Sequence, residues 1–496
     1  MEDIAHSQPG NNLQKKLASG LFWMLLLNLI IKPVWILGID VGVQNAVGAE
    51  AYGFYFAIFN LAYIFNILLD VGITNYNTRN IARSPQLIRK YLSGILTVKL
   101  LLLGLYAVVT FTVGLLLGYT SEQFYLLAIL TFNQFLNSLI LYLRSNFEGL
   151  MLFRWDSVIS ILDRLLMILI CGAMLSQRLS LLSTPFTIFH FAYAQTVAYL
   201  ATAALALAVL LRRTGVRKLH FSRLFSLAIL KQSLPYALLL LLMASYNRID
   251  PLLLQQLLPA GVADTAVGVY ASAFRLLDAL TMIAYLVSVP LLPVFSRLTK
   301  DDDGRTEVAY TTRWVFALMM VYAVAAAVTL ACLAEPLMQL LYRQHTDASA
   351  QVFRLLVYGI IPIGTTYVFG TLLTAAGRLK VLNLLAVSSL IINIGVNILL
   401  IPRYGAVGSA YASLAAQGFM ALTQVVAAVR IFRLRISFVY ILKLSLYTLL
   451  VVGVNLLAAP LPWGWHLAVA VVAAMGAAMA LRLVDARQMM TLIKKE

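Results

Sequence analysis

RNIARSPQLIRKYLSGILTVKLLLLGLYAVVTFTVGLLL, residues 79–117, decides the fold. Four basic residues (Arg79, Arg83, Arg89, Lys90) lead into residues 91–117, an apolar run with one charge, Lys99. An α-helix needs only about 20 such residues to cross the hydrocarbon of a bilayer. The same pairing of a basic gap and an apolar run recurs along the chain. Fourteen spans can be drawn: 17–38, 51–75, 91–117, 123–144, 155–175, 186–211, 229–257, 267–296, 309–332, 352–374, 379–401, 406–429, 437–459 and 463–483. Of the 37 Lys and Arg residues, 25 fall in every second gap and only Arg178, Arg343 and Arg403 fall in the others. The positive-inside rule turns that asymmetry into an orientation with both termini in the cytoplasm.

Composition agrees. The chain is 61% hydrophobic and 11% charged with a mean hydropathy of +0.88, far from the ~25% charge of a soluble domain. Its net charge of +17 is spread over the cytoplasmic segments rather than gathered on one face. Anionic lipid headgroups, not nucleic acid, are therefore the expected partner. Residues 1–16 are polar and precede a span too long for a cleavable signal, so the first span is expected to stay. Cys171 and Cys332 lie far apart, and His6, His190, His220, His345 and His466 are scattered, so neither a disulfide framework nor a metal site is expected.

The gaps are short. The longest external one, 333–351, has room for an interfacial helix but not for a soluble catalytic domain, so no catalytic residues are expected. The most polar gap, RRTGVRKLHFSR (212–223), divides the chain near its middle. AEAYGFYFAIFN (49–60) resembles TAVGVYASAFRL (265–276), and NFEGLMLFR (146–154) resembles TAAGRLKVLN (374–383). Two related halves follow: an N-terminal tail (1–16), an N-lobe of spans 1–6 (17–211), a basic linker (212–228), a C-lobe of spans 7–12 (229–429), spans 13 and 14 (430–483) and a C-terminal tail (484–496). Paired halves of a transporter place their binding site at the repeat interface.

Ionisable groups deep in spans mark sites, because each costs roughly 2.5–3.5 kcal/mol to insert unless paired or hydrated. Lys231, Arg313, Arg354 and Lys443 lie near span ends, and Lys99 is expected to snorkel to the cytoplasmic side. Lys32, Arg164, Arg248 and Arg275 remain as candidate anion-binding groups, with Asp70, Asp163, Asp250 and Asp278 as candidates for ion coupling or charge pairing. Arg275 and Asp278 share a helix face at i,i+3 and can neutralise each other. Asp163 and Arg164 diverge by about 100°, and Arg248 and Asp250 by about 200°, so their partners are expected on other helices, in water or on a substrate. Pro33, beside Lys32, is the candidate hinge, and Pro251 a kink in span seven.

LDVGITNYNTRNIARS (69–84), FEGLMLFRWDSVISILDRLLM (147–167), LPYALLLLLMASYNRIDPLLL (234–254), GVYASAFRLLDAL (268–280) and YGAVGSAYASLAAQGF (404–419) together resemble the oligosaccharide flippases. These are the Wzx-type polysaccharide transporters of the multidrug/oligosaccharidyl-lipid/polysaccharide exporter superfamily. The resemblance implies an all-α polytopic protein of the bacterial inner membrane, with two six-helix lobes around a V-shaped cavity and two appended C-terminal helices. It implies that a polyprenyl-pyrophosphate-linked oligosaccharide is moved outward by alternating access, without a cofactor but with possible proton or sodium coupling. Lys32, Arg164, Arg248 and Arg275 would receive the anionic headgroup, and polymerase and export proteins would be further partners. A lipid II flippase shares this plan. A multidrug cation antiporter would want unpaired acids, the reverse of the balance here. A membrane polymerase would carry a large external loop with Arg or His, which this chain lacks.

Overall fold

The computed structural model describes residues 30, 31, 33–176, 185–214, 237–288, 291–299, 305–434 and 437–483. They are helical throughout, with no strand among them. Eleven helices are long and apolar enough to cross a membrane, and a bent pair, Ala237–Arg248 with Asp250–Leu257, makes a twelfth span. Two of the eleven are hairpins.

The first hairpin combines a π-helical stretch, Val34–Asp40, with the helix Val41–Ile64 and turns at Gly48, whose φ is +87°. Tyr52 Oη donates to Asp40 Oδ1 at 2.9 Å, although twelve residues of straight helix would separate them by about 18 Å. The second, Leu379–Phe432, turns at Gly405, whose φ of +55° favours glycine. There a Cβ on Gly408 would lie 2.5 Å from the carbonyl oxygen of Leu400, a contact only a reversed chain can make. Counting each hairpin as two arms takes the described helices to fourteen segments, of which the first, 34–47, is shorter than a full span.

The boundaries shift in places. The first span continues past residue 38 to the turn at Gly48, because Leu37–Val47 holds a single carboxylate, Asp40, and that group is buried on Tyr52. Pro33, whose nitrogen has no proton to donate, immediately precedes the wider π turns. Lys32 lies outside the described residues, as do most of the basic linker and both tails.

Contacts divide the chain into two units, Met1–Leu241 and Leu242–Glu496. In the first, span two ends in a 3-10 turn, Phe65–Leu69. The backbone then turns through Val71 (φ +44°) and Gly72 (φ +80°) into the short helix Ile73–Arg83. That helix packs against span four, Ser121–Gly149, which begins with a capping box between Thr120 and Gln123. Span three (Ile88–Leu116), span five (Phe153–Leu175) and span six (Ile188–Thr214) complete the unit around a core containing Leu92, Tyr106, Tyr142 and Phe147.

In the second unit, span seven breaks by 50° at Ile249, two residues before Pro251. Proline cannot donate to the carbonyl one turn back and its ring crowds that carbonyl, so the bend falls here. Spans eight (Ala260–Ser288), nine (Arg305–Cys332) and ten follow. Span ten is built from Thr346–Leu356, a 3-10 turn and Ile360–Ala375. The gap before it holds the expected short helix, Ala334–Leu341. Spans thirteen (Phe438–Ala458) and fourteen (Trp463–Ala480) pack on span nine through Val324, Val328, Tyr447 and Val451.

Candidate functional site

Each unit places one arginine inside a span, against an aromatic face and beside a carboxylate. In the N-terminal unit it is Arg164 of span five. Its guanidinium lies 5.4 Å from the ring of Trp35, on the π-helical stretch of span one, and 6.0 Å from that of Tyr199 on span six. Its Nε is 3.6 Å from Oδ2 of Asp163. The two neighbours were expected to diverge. The arginine stem is long enough to fold back toward the adjacent carboxylate, though only to a separation at the limit of an ion pair. The Arg164 side chain remains 29% exposed.

In the C-terminal unit the arginine is Arg248, the last residue before the break in span seven. It lies 4.8 Å from the Phe274 ring, and its Nη2 donates to Asp278 Oδ2 at 3.1 Å and Oδ1 at 3.3 Å. Asp278 stands one turn after Arg275 on its own helix, and its carboxylate accepts from Arg248 of span seven, which reaches across to span eight. Arg275 is half-buried on that helix.

The remaining acids divide sharply. Asp70 is held by Lys99, whose Nζ donates to Asp70 Oδ1 and Leu69 O at 2.9 Å and to Ser138 Oγ at 2.7 Å. Lys99 is fully buried and does not snorkel, because a carboxylate, a hydroxyl and a carbonyl from spans two and four replace its water. Asp70 also accepts from the Thr74 amide and hydroxyl, which fixes the start of the short helix.

Asp250 is different. It is fully buried and accepts from neutral donors: Tyr270 Oη at 2.7 Å, Asn393 Nδ2 at 3.0 Å and Asn397 Nδ2 at 2.9 Å. Asn397 Oδ1 lies buried beside it with no hydrogen-bond partner among the described residues. Span seven supplies the acid, span eight the phenol and span eleven the two amides, which share a face at i,i+4.

Three polar features escaped the sequence reading. Asp40 lay beyond the expected end of span one. Asn393 and Asn397 are neutral and were passed over, although two amides one turn apart in an apolar span were a usable signal. Arg144 was counted with the cytoplasmic loops, yet it grips Asp156 through Nε at 2.7 Å and Nη2 at 3.2 Å, a two-pronged clamp on the link between spans four and five. Among the described residues no cluster of His, Cys, Asp and Glu could hold a metal ion.

The chain is an all-helical multi-span bundle with charged residues inside spans of both units, and the comparisons place it in the multidrug/oligosaccharidyl-lipid/polysaccharide exporter superfamily. Residues 17–299 match the family described as polysaccharide biosynthesis protein, and residues 251–473 match the lipid II flippase MurJ family. The chain belongs to the polysaccharide biosynthesis protein family, a family of multi-pass membrane transporters and flippases. Its fold is similar to that of the lipid II flippase MurJ in an inward closed conformation, with a TM-score of 0.68 at 15% identity, covering 94% of this chain and 98% of that one. It is also similar to an inward-facing multidrug resistance MATE transporter (TM-score 0.61, 15% identity, 80% and 94% covered). The MATE transporter VcmN of Vibrio cholerae is a further structural relative (TM-score 0.55, 17% identity, 85% and 98% covered). No curated protein matches the chain by sequence.

Proposed function

We propose that this protein is a flippase that carries a polyprenyl-pyrophosphate-linked oligosaccharide, the repeat unit of a surface polysaccharide, from the cytoplasmic to the external leaflet by alternating access. The observation that carries the reading is the pair Arg164 and Arg248, one per unit, each held mid-span on an aromatic face beside a carboxylate. A planar guanidinium binds carboxylate and phosphate through the same two-pronged geometry. An incoming pyrophosphate can therefore exchange with the carboxylate at either arginine rather than having to find an idle cation. The carboxylates in turn keep the arginines neutralised between substrates, which lowers the cost of holding them in the membrane. Lys32 and Arg275 are assigned to the same role, with Pro33 as hinge.

Outward movement of an anion across a membrane negative inside gains about 2.3 kcal/mol per charge per 100 mV. An ion moving inward would add to this, and Asp250 is the best placed of the four acids to carry it. Asp70, Asp163 and Asp278 each face a basic partner, whereas Asp250 is surrounded by amide and phenol groups, a setting for a proton or a sodium ion. The protein performs no covalent chemistry, resides in a bacterial inner membrane with both termini cytoplasmic, and delivers its glycan to polymerase and export proteins.

The lipid II flippase reading is supported by the match over residues 251–473 and by the fold. Both substrates present a pyrophosphate, so the roles of Arg164 and Arg248 are common to both readings, and the glycan distinguishes them. The test is replacement of Arg164 and Arg248 by Gln in cells, scored for surface polysaccharide and for protein abundance. Lost polysaccharide with normal abundance supports the role. Lost abundance assigns the arginines to structure, and loss of cell-wall synthesis rather than of surface polysaccharide selects lipid II.

A further inference from the structure

Span five presents its charges on two sides. Asp156 and Asp163 are two turns apart, so they share a face to within about 20° and lie about 10 Å apart along the axis. That face meets span four, because Asp156 is the residue that Arg144 grips, through Nε at 2.7 Å and Nη2 at 3.2 Å. Arg164 stands about 100° round from Asp163 and meets other helices, span one at Trp35 and span six at Tyr199. The ion pair of Asp163 with Arg164 therefore straddles two neighbourhoods. Its separation is 3.6 Å, against 2.7 Å for Arg144 with Asp156, 2.9 Å for Lys99 with Asp70 and 3.1 Å for Arg248 with Asp278.

Solvent does not account for the long contact. The Asp163 side chain is only 12% exposed, and a carboxylate so far removed from water gains by closing on a cation. A second cation on the other side opposes closure. The carboxylates within reach of the Arg144 field are Asp156 first, then Glu148 and Asp163. Glu148, one turn along span four from Arg144, accepts from Thr78 Oγ1 at 3.3 Å. Two unit charges about 10 Å apart still act on each other at partial burial, where the effective dielectric is nearer ~20 than 80. The link between the spans holds this arrangement in register. Met151 takes φ +57°, and the Leu152 amide donates to the Phe147 carbonyl at 2.8 Å.

We infer that Arg144 is a positioning residue for the anion site of the N-terminal unit. By sharing Asp163 it keeps that carboxylate at the edge of Arg164's reach, and so sets how readily a pyrophosphate takes the place of Asp163. This role rests on the reading of Arg164 as the receiver of the headgroup. It makes the affinity of the site a property of the link between spans four and five, away from the guanidinium that the substrate touches.

The experiment measures transport of a short-chain polyprenyl-pyrophosphate oligosaccharide by the full-length protein in liposomes, over a series of substrate concentrations. Arg144→Gln is combined with Asp156→Asn, so that no buried carboxylate is stranded, and gel filtration with thermal unfolding confirms that the paired variant folds. Its half-saturating concentration should rise about fivefold, the order of one partly screened charge contact, with the maximal rate within about twofold of the parent. Asp163→Asn added to the pair should restore the parental value, because the carboxylate that had closed on Arg164 is then neutral. An unchanged half-saturating concentration, or a rise that Asp163→Asn does not reverse, overturns the role and leaves the clamp as a joint between two helices. A fall in maximal rate with a lower unfolding midpoint overturns it in the same way. Arg164→Gln separates this role from the reading beneath it. Impaired transport there, with the paired variant behaving like the parent, sinks the role of Arg144 alone. Parental transport by Arg164→Gln removes Arg164 as the receiver, and the role of Arg144 with it.

Discussion

Replacing Lys99 by Met tests whether the buried lysine of span three is structure or site. The ammonium has no exposure and makes contacts of 2.7–2.9 Å to Ser138 Oγ, Asp70 Oδ1 and Leu69 O, with the Tyr142 ring 5.9 Å away. Met preserves the length of the chain but strands the carboxylate. Breaking a buried pair costs about 3–5 kcal/mol. Asp70 is 26% exposed and keeps Thr74 as a donor, so the lower end, about 3 kcal/mol, is expected. For a unit of this size that corresponds to roughly 6–12 °C in the midpoint of thermal unfolding. Fluorescence-detected gel filtration after heating in detergent reads this directly, alongside abundance in cells. Asp70→Asn added to Lys99→Met should recover most of the loss, because the second change removes the stranded charge. The reasoning is refuted if Lys99→Met folds, accumulates and melts like the parent yet loses surface glycan, for then the ammonium serves a ligand.

Gly405→Ala should lower abundance, since φ +55°, ψ −131° is closed to residues with a side chain and costs about 1–3 kcal/mol to enforce, whereas Gly418→Ala, helical and with open space around its Cβ, should be neutral or slightly stabilising in the same heating assay. Asp250→Asn should leave abundance near normal, because Tyr270, Asn393 and Asn397 can still bond an amide, while removing the dependence of transport on pH or sodium in vesicles. Unchanged ion dependence would take the coupling role from Asp250. Glu335→Ala should shift the unfolding midpoint hardly at all, since its pair with Arg354 at 2.8 Å is about half exposed on both sides and worth under ~1 kcal/mol. A large drop would mean that the short helix Ala334–Leu341 anchors span ten.

Span number and order were legible in the sequence because the hydrocarbon imposes a length on every crossing helix, and charge is confined to the gaps. The first span was ended at residue 38, short of the turn at Gly48, although Asp40 and Gln44 beyond that point are buried inside the unit. The charged residues were legible as a set but not as pairs. Lys99 finds Asp70 across spans, and Asp278 is engaged by Arg248 from a different helix. Such choices depend on helix rotation and crossing, which hydropathy does not encode. The amide pair Asn393 and Asn397 was visible as spacing, but only packing shows that it faces Asp250.

Reconstituted transport addresses the arginines most directly. Purified protein in liposomes is given a short-chain polyprenyl-pyrophosphate oligosaccharide, and appearance of the glycan in the opposite leaflet is followed with a membrane-impermeant lectin. The account predicts that the parent transports, and that Arg164→Gln and Arg248→Gln each cut the rate at least about tenfold, the loss of one charge-assisted contact. Transport by both variants at the parental rate, from protein equally well folded, would contradict it.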